Sequence, residues 1–107
     1  MRQETMKIAT AFKQGKKASA ARTFTDGHTV FLHGNRIAYI DDKGNLCITL
    51  AGWPTVTTRD RINGILDVFG FTRWGVAQRN HKQYLVKDGK PFMEISKDSI
   101  TCMSDVT

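Results

Sequence analysis

Short runs of apolar and β-branched residues, separated by tight turn residues, fill the middle of this chain and leave little choice of fold. Thr29-Val30-Phe31-Leu32-His33 is one run. Gly34-Asn35 turns the chain, and Arg36 to Ile40 is the next. Asp41-Asp42-Lys43-Gly44-Asn45 turns it again before Leu46-Cys47-Ile48-Thr49-Leu50. Asn and Gly accept the left-handed backbone of hairpin turns at little cost, so this spacing predicts an antiparallel meander.

Gly52-Trp53-Pro54 interrupts the sheet, and the spacing then predicts a helix over 58–69. Ile62, Ile65, Leu66 and Phe69 recur at i, i+3, i+4 and i+7, one continuous apolar stripe. Thr57 or Thr58 is its expected cap, with Thr57-x-x-Asp60 resembling a capping box, and Gly70 is its stop. Arg59 and Asp67 are expected to face water. Gly64 is expected to allow close backbone packing onto a strand. Beyond Gly70 the strand pattern returns over Arg73–Gln78, Lys82–Val86 and Pro91–Ile95, with Ser99–Met103 a further candidate. Near the N-terminus, Ile8, Ala9 and Phe12 predict a short helix over 6–14 that stops at Gly15, with residues 1–6 frayed and 15–27 a loop.

The expected fold is therefore α+β. Two antiparallel three-stranded meanders form a curved sheet or a partly open barrel, packed on one central helix at about 58–69, with a short N-terminal helix. The halves share a weak likeness, Phe31-Leu32 with Tyr84-Leu85 and Leu46–Thr49 with Ser99–Cys102, which reads as a duplication or as one turn vocabulary used twice. At 107 residues the chain is one domain, 1–107, long enough to bury one modest core. No apolar run approaches the roughly 20 residues that cross a bilayer, and lysines break any secretory stretch near the N-terminus. The expected location is cytoplasmic.

The net charge is +6, and its placement is uneven. Within residues 7–24 lie Lys7, Lys13, Lys16, Lys17 and Arg22, and Glu4 is the sole acid before Asp26. Such a basic segment is either solvated surface or a patch for phosphates or an acidic protein face. Cys47 and Cys102 form no CxxC or cluster, so neither a disulfide framework nor a zinc knuckle is indicated. In a reducing compartment both are expected as reduced core thiols.

Thr25-Asp26-Gly27, Leu32-His33-Gly34-Asn35-Arg36-Ile37-Ala38, and the stretch from Ala51-Gly52-Trp53-Pro54 through Thr57-Thr58-Arg59-Asp60-Arg61-Ile62-Asn63 together carry a resemblance. The chain resembles a family of small proteins encoded by tailed bacteriophages and related mobile elements, with the pattern TDG…LHGN.IA…AGW.T.TTR.R.N, over roughly residues 8–69. That family brings no activity to carry over. The resemblance implies a setting, in which a host-takeover or anti-defence protein acts by binding. Physically the same residues read as turn chemistry at Asp26-Gly27 and Gly34-Asn35, a ring closing the end of the core at Trp53, and a helix start at Thr57-Thr58. Arg59 or Arg61 pairs with Asp60 or with a partner.

Enzyme signatures are absent: there is no GxSxG, HExxH or HxE…PCxxC. His28 and His33 fall on opposite faces of a strand, which argues against a shared metal. Asp41-Asp42 occupies a turn, and a dyad of Cys47 or Cys102 with a histidine stays open. The chain is read as no enzyme, with no cofactor and no metal. Two binding readings are near equal. The leading one is nucleic acid, contacted by Lys13, Lys16, Lys17 and Arg22, with Arg59, Arg61, Trp53 and Trp74 on the folded face. Trp74 is read as an exposed stacking ring or as core. Five phosphate contacts would give a salt slope of about −4 to −5. The alternative is a protein-binding inhibitor of a host enzyme or defence system, through an apolar patch of Phe92, Met93 and Met103 rimmed by basic residues, with a small-molecule sponge as a variant. No membrane partner is expected.

Overall fold

The computed structural model describes residues 2–107. Helix α1 spans Gln3–Lys13 and buries Thr5, Ile8, Ala9 and Phe12, an i, i+3, i+4, i+7 stripe. Residues 3–6 are thus the first turn of the helix and not a frayed end, because Thr5 is buried; Met1 lies outside the described residues. Gly15 takes φ +71, and Lys16 N–H closes the end on Ala11 C=O at 2.9 Å.

Part of the expected 15–27 loop is a hairpin of β1 (Ala18–Ala20) and β2 (Thr23–Thr25). Its turn is Ala21-Arg22, with φ of +47 and +62. This is the left-handed hairpin backbone built without Gly or Asn, so no turn residue announces it. Gly27 follows at φ +98, where a Cβ would sit 2.5 Å from Gly15 C=O, so only glycine fits. β3 (Thr29–Leu32), β4 (Asn35–Ile40) and β5 (Leu46–Thr49) form the expected meander. The turn between β3 and β4 is His33-Gly34 and not Gly34-Asn35: His33 is left-handed at +51, and Asn35 is already paired with Leu32.

Helix α2 runs over Val56–Val68. Its cap is Thr55 and not Thr57 or Thr58; the Thr55 hydroxyl accepts from Thr58 N–H at 3.2 Å. Ile62, Ile65 and Leu66 are buried as the stripe demands, and Gly70 lies just past the end at φ +90. Then come β6 (Trp74–Arg79), β7 (Lys82–Lys87), β8 (Lys90–Ile95), β9 (Ile100–Cys102) and the short α3 (Met103–Val106).

The fold is α+β with two open antiparallel sheets, not two three-stranded meanders. One sheet has six strands in the order β1-β2-β3-β4-β5-β9; the other has three, β6-β7-β8. The halves are therefore not matching sheets. β9 leaves the second half to pair with β5, aligning Cys47 with Cys102, and the two sulfurs form a disulfide. This corrects the expectation of reduced thiols: the strand register sets the two cysteines directly opposite each other.

The core lies between the inner face of the six-stranded sheet (Val30, Leu32, Ala38, Ile48) and the two helices (Ile8, Phe12, Ile62, Leu66). Each of the Val, Leu, Ile and Phe side chains contributes about 1.5–3 kcal/mol when fully buried. Val76 and Leu85 bring the small sheet into the same core.

Candidate nucleic-acid interface

The basic residues of α2 are tied into the fold. Arg61 is 2% exposed. Its Nε donates to Thr23 Oγ1 at 2.9 Å, and its Nη1 donates to Thr5 Oγ1 and to Asp60 Oδ2. The Thr5 hydroxyl in turn donates to Asp60. One guanidinium thus ties α2 to α1 and to β2, and it is not available to a partner. Arg59 is half-buried and engaged within the fold. Its Nη1 donates to Pro54 C=O at 3.0 Å and to Gln83 Oε1 at 3.1 Å, bridging to the small sheet.

The outer face of the six-stranded sheet is different. Phe24 opposes Phe31, and Phe31 opposes Arg36. The Phe24 and Phe31 rings stack with centroids 6.2 Å apart and planes 25° apart, and Phe24 is 42% exposed. A bulge between Val30 and Phe31 brings Tyr39 onto the same side, opposite Thr29. The Arg36 guanidinium lies 4.2 Å from the Tyr39 ring centroid. Lys16 and Lys17 lead directly into β1, whose Ser19 opposes Phe24, and Arg22 sits in the β1–β2 turn. All three are exposed and lack an ion-pair partner among the described residues.

The nearest acids are engaged locally. Asp26 accepts from the backbone N–H of His28 at 2.9 Å and of Thr29 at 2.8 Å. These bonds, that from His28 foremost, hold its carboxyl below the usual range. Asp41 is likewise lowered, chiefly by the Asn45 N–H and then by that of Lys43.

The remaining sequence candidates do not join this face. Lys13 places its ammonium 4.8 Å from the Phe69 ring centroid, at the end of α1. Trp74 is half-buried in the small sheet, edge-on to Phe92 at 4.9 Å, with the Lys87 ammonium 5.2 Å away. Trp53 does not close the core; it is 58% exposed and lines a cleft of about 340 Å³ between the β3–β4 turn and the start of α2. Both cysteines are spent in the disulfide, which removes the thiol–histidine dyad. Cys47 Sγ lies 4.0 Å from Asp41 Oδ2.

The sequence does not mark Phe31 and Tyr39 as companions of Arg36 on one face. Val30, Phe31 and Leu32 are apolar in succession, so alternation alone does not reveal which face of the run is wet. With the turn at His33-Gly34, Arg36 and not Ala38 stands directly opposite Phe31, and the bulge between Val30 and Phe31, which no residue type announces, adds Tyr39 to that side.

Fold and face together define a small basic α+β protein whose larger open sheet presents stacked aromatics beside exposed cations. The chain belongs to the Kyanoviridae Gp96 protein family, which matches residues 1–101. This is a phage protein family, in line with the resemblance to tailed-phage proteins. No curated protein and no solved structure matches the chain. No helix among the described residues is long and apolar enough to cross a membrane.

Proposed function

We propose that the protein is a non-enzymatic binder of single-stranded nucleic acid and that the outer face of the six-stranded sheet is its platform. The observation that carries the reading is the solvent-facing Phe24–Phe31 pair, continued by Arg36 over Tyr39. Each base stacked on an aromatic ring is worth about 1–3 kcal/mol, with little sequence preference. Lys16, Lys17, Arg22 and Arg36 supply cations for the backbone around the rings. A duplex keeps its base faces stacked internally, so the platform favours single strands.

The test is anisotropy of a labelled single-stranded oligonucleotide over a salt series. Four phosphate contacts on a single strand give a slope of about −3 in log K against log salt. Phe24→Ala with Phe31→Ala lowers affinity at least tenfold, about the worth of one stacked base. A flat salt response, or equal binding by that variant, sinks the reading.

A specific observation also supports capture of a protein. β8 is exposed along nearly its whole length, with Phe92 49% and Met93 38% exposed beside Lys90, at an open sheet edge. An acidic partner adding a strand there would suit a host-directed inhibitor. Met103 does not belong to that patch, being fully buried. A pull-down with and without nuclease separates the two readings: a protein partner that survives nuclease favours β8, and recovery of nucleic acid favours the sheet face.

A further inference from the structure

The cleft beside Trp53 lies away from the aromatic face. Its floor is Leu32, Ile37 and Leu50, all within 4% of full burial and on the inner side of the sheet. Its mouth holds Trp53, His33 and Asn35. From these groups we infer that the cleft is a nucleotide site, with a flat heterocyclic base laid against the Trp53 indole and its phosphate toward Arg2.

The Trp53 turn is rigid: Trp53 N–H donates to Leu50 C=O at 2.9 Å, Trp53 C=O accepts from Thr55 N–H at 2.8 Å, and Pro54 fixes the backbone between. The turn carries the indole in the open beside an apolar floor, where a planar ligand can cover it. Hydrogen-bonding capacity is left over at the same mouth. The side chains of His33 and Asn35 make no hydrogen bond among the described residues, and a carboxamide presents a donor and an acceptor side by side, as a base edge does. Charge narrows the class further. No carboxylate lines the cleft. The Arg2 guanidinium stands at the rim, donating to Thr57 Oγ1 at 3.3 Å, and Thr57 is part of the lining. An amine-bearing ligand would meet no counter-charge here, and a plain alkyl ligand would leave Asn35 and His33 unused. A ring with a polar edge and an anionic group uses every component. The volume of about 340 Å³ falls at the small end of ligand pockets.

The nucleotide can be free or can be the end of a strand, and the site is separate from the sheet face. Phe31 and Arg36 point outward from the strands whose Leu32 and Ile37 point inward. The proposal therefore does not rest on the reading of that face.

The test uses the full chain carrying Trp74→Phe, so that Trp53 is the only indole. It is titrated with adenosine, guanosine, cytidine and uridine 5′-monophosphates, following Trp53 fluorescence and the NMR shift of the Asn35 side-chain amide. Saturable quenching by at least one of them, with a moving Asn35 amide and about tenfold weaker binding in Asn35→Ala, is the expected result. If only an oligonucleotide with a terminal phosphate gives those signals, and still gives them with Phe24→Ala and Phe31→Ala, the site takes strand ends. Absence of saturable quenching by all of these probes overturns the proposal, and so does quenching that leaves the Asn35 amide unmoved. Because Trp53 is exposed, Trp53→Ala keeps the fold and serves as a second variant, in which the Asn35 shift is lost.

Discussion

Asn63 holds Val76 by both ends of its side-chain amide. Its Oδ1 accepts from Val76 N–H at 2.7 Å, and its Nδ2 donates to Val76 C=O at 3.2 Å. A helix side chain thereby does what a neighbouring strand would do for β6. The approach is close enough that a Cβ on Gly75 would lie 3.1 Å from Asn63 Oδ1. Asn63 ties α2 to β6, Arg59 to Gln83 is a second strut, and Val76 and Leu85 anchor the small sheet in the shared core.

Asn63→Ala leaves both main-chain groups of the buried Val76 without that partner, at a cost of about 1–3 kcal/mol. Hydrogen exchange should rise first in β6 and β7, while α1 and the six-stranded sheet keep their protection at temperatures well below unfolding. Equal deprotection of both sheets would show that Asn63 is no hinge between them.

How far the sequence reveals this arrangement depends on the kind of signal. The α2 stripe and the 29–50 meander are legible because periodicity and turn residues agree. The β1–β2 hairpin is not, since Ala21-Arg22 holds a left-handed turn with residues that do not favour one. The site is less legible still. Moving the turn by one residue, from Gly34-Asn35 to His33-Gly34, changes which side chains of β3 and β4 stand directly opposite, and the bulge between Val30 and Phe31 then carries Tyr39 to the other face. Arg59 and Arg61 read as surface cations from composition alone. Only the fold shows that Arg59 braces α2 against the small sheet and that Arg61 is buried. Pairings across long separations, such as Cys47 with Cys102 or Thr5 with Arg61, have no local signature.

Arg61 should be among the least replaceable residues in the chain. Arg61→Ala leaves Thr5, Thr23 and Asp60 without their shared donor in a buried site, and losing one partner of such a cluster costs about 3–5 kcal/mol. Denaturant unfolding should show that loss, whereas Arg79→Ala, at an exposed residue, should stay within about 0.5 kcal/mol of wild type.

The Cys47–Cys102 disulfide closes a loop across 55 residues. Chain-entropy arithmetic for a loop of that length gives about 4 kcal/mol of stabilisation. Thiol reductant should therefore lower Tm, and Cys47→Ala with Cys102→Ala should abolish the difference between reduced and unreduced samples. β9 and α3, which the disulfide fastens to β5, should lose exchange protection first.

Acid should weaken the turn at 41–45 in a defined window. The Asp41 carboxyl is held below the usual range by the Asn45 and Lys43 amides. A lowered folded-state pKa stabilises the fold fully above the unfolded value near about 3.9, and the contribution is lost as pH falls through the folded value. Asp26 acts the same way through His28. Stability curves should therefore drop on the acid side of that value, and Asp41→Asn should flatten the drop without changing stability in strong acid. An unchanged slope in the variant would mean the bonds to Asn45 and Lys43 do not persist in solution.

The basic N-terminal segment is divided by the fold, and strand binding should divide with it. Lys16 and Lys17 stand where the chain enters β1, beside the aromatic face, while Lys13 is placed over Phe69 at the end of α1. If the sheet face is the platform, Lys16→Glu with Lys17→Glu removes two phosphate contacts. The salt slope should then fall by about 1.4, from the single-strand increment of 0.7 per contact. Lys13→Glu should leave that slope nearly unchanged, and its effect should appear as a small loss of stability where the cation–π contact ends, about 0.5–1 kcal/mol at an exposed site. A general electrostatic attraction predicts something else: all three lysines would weaken binding alike, whatever their distance from Phe24 and Phe31. Anisotropy titrations of the two variants, run over the same salt series, therefore distinguish a built surface from simple excess charge.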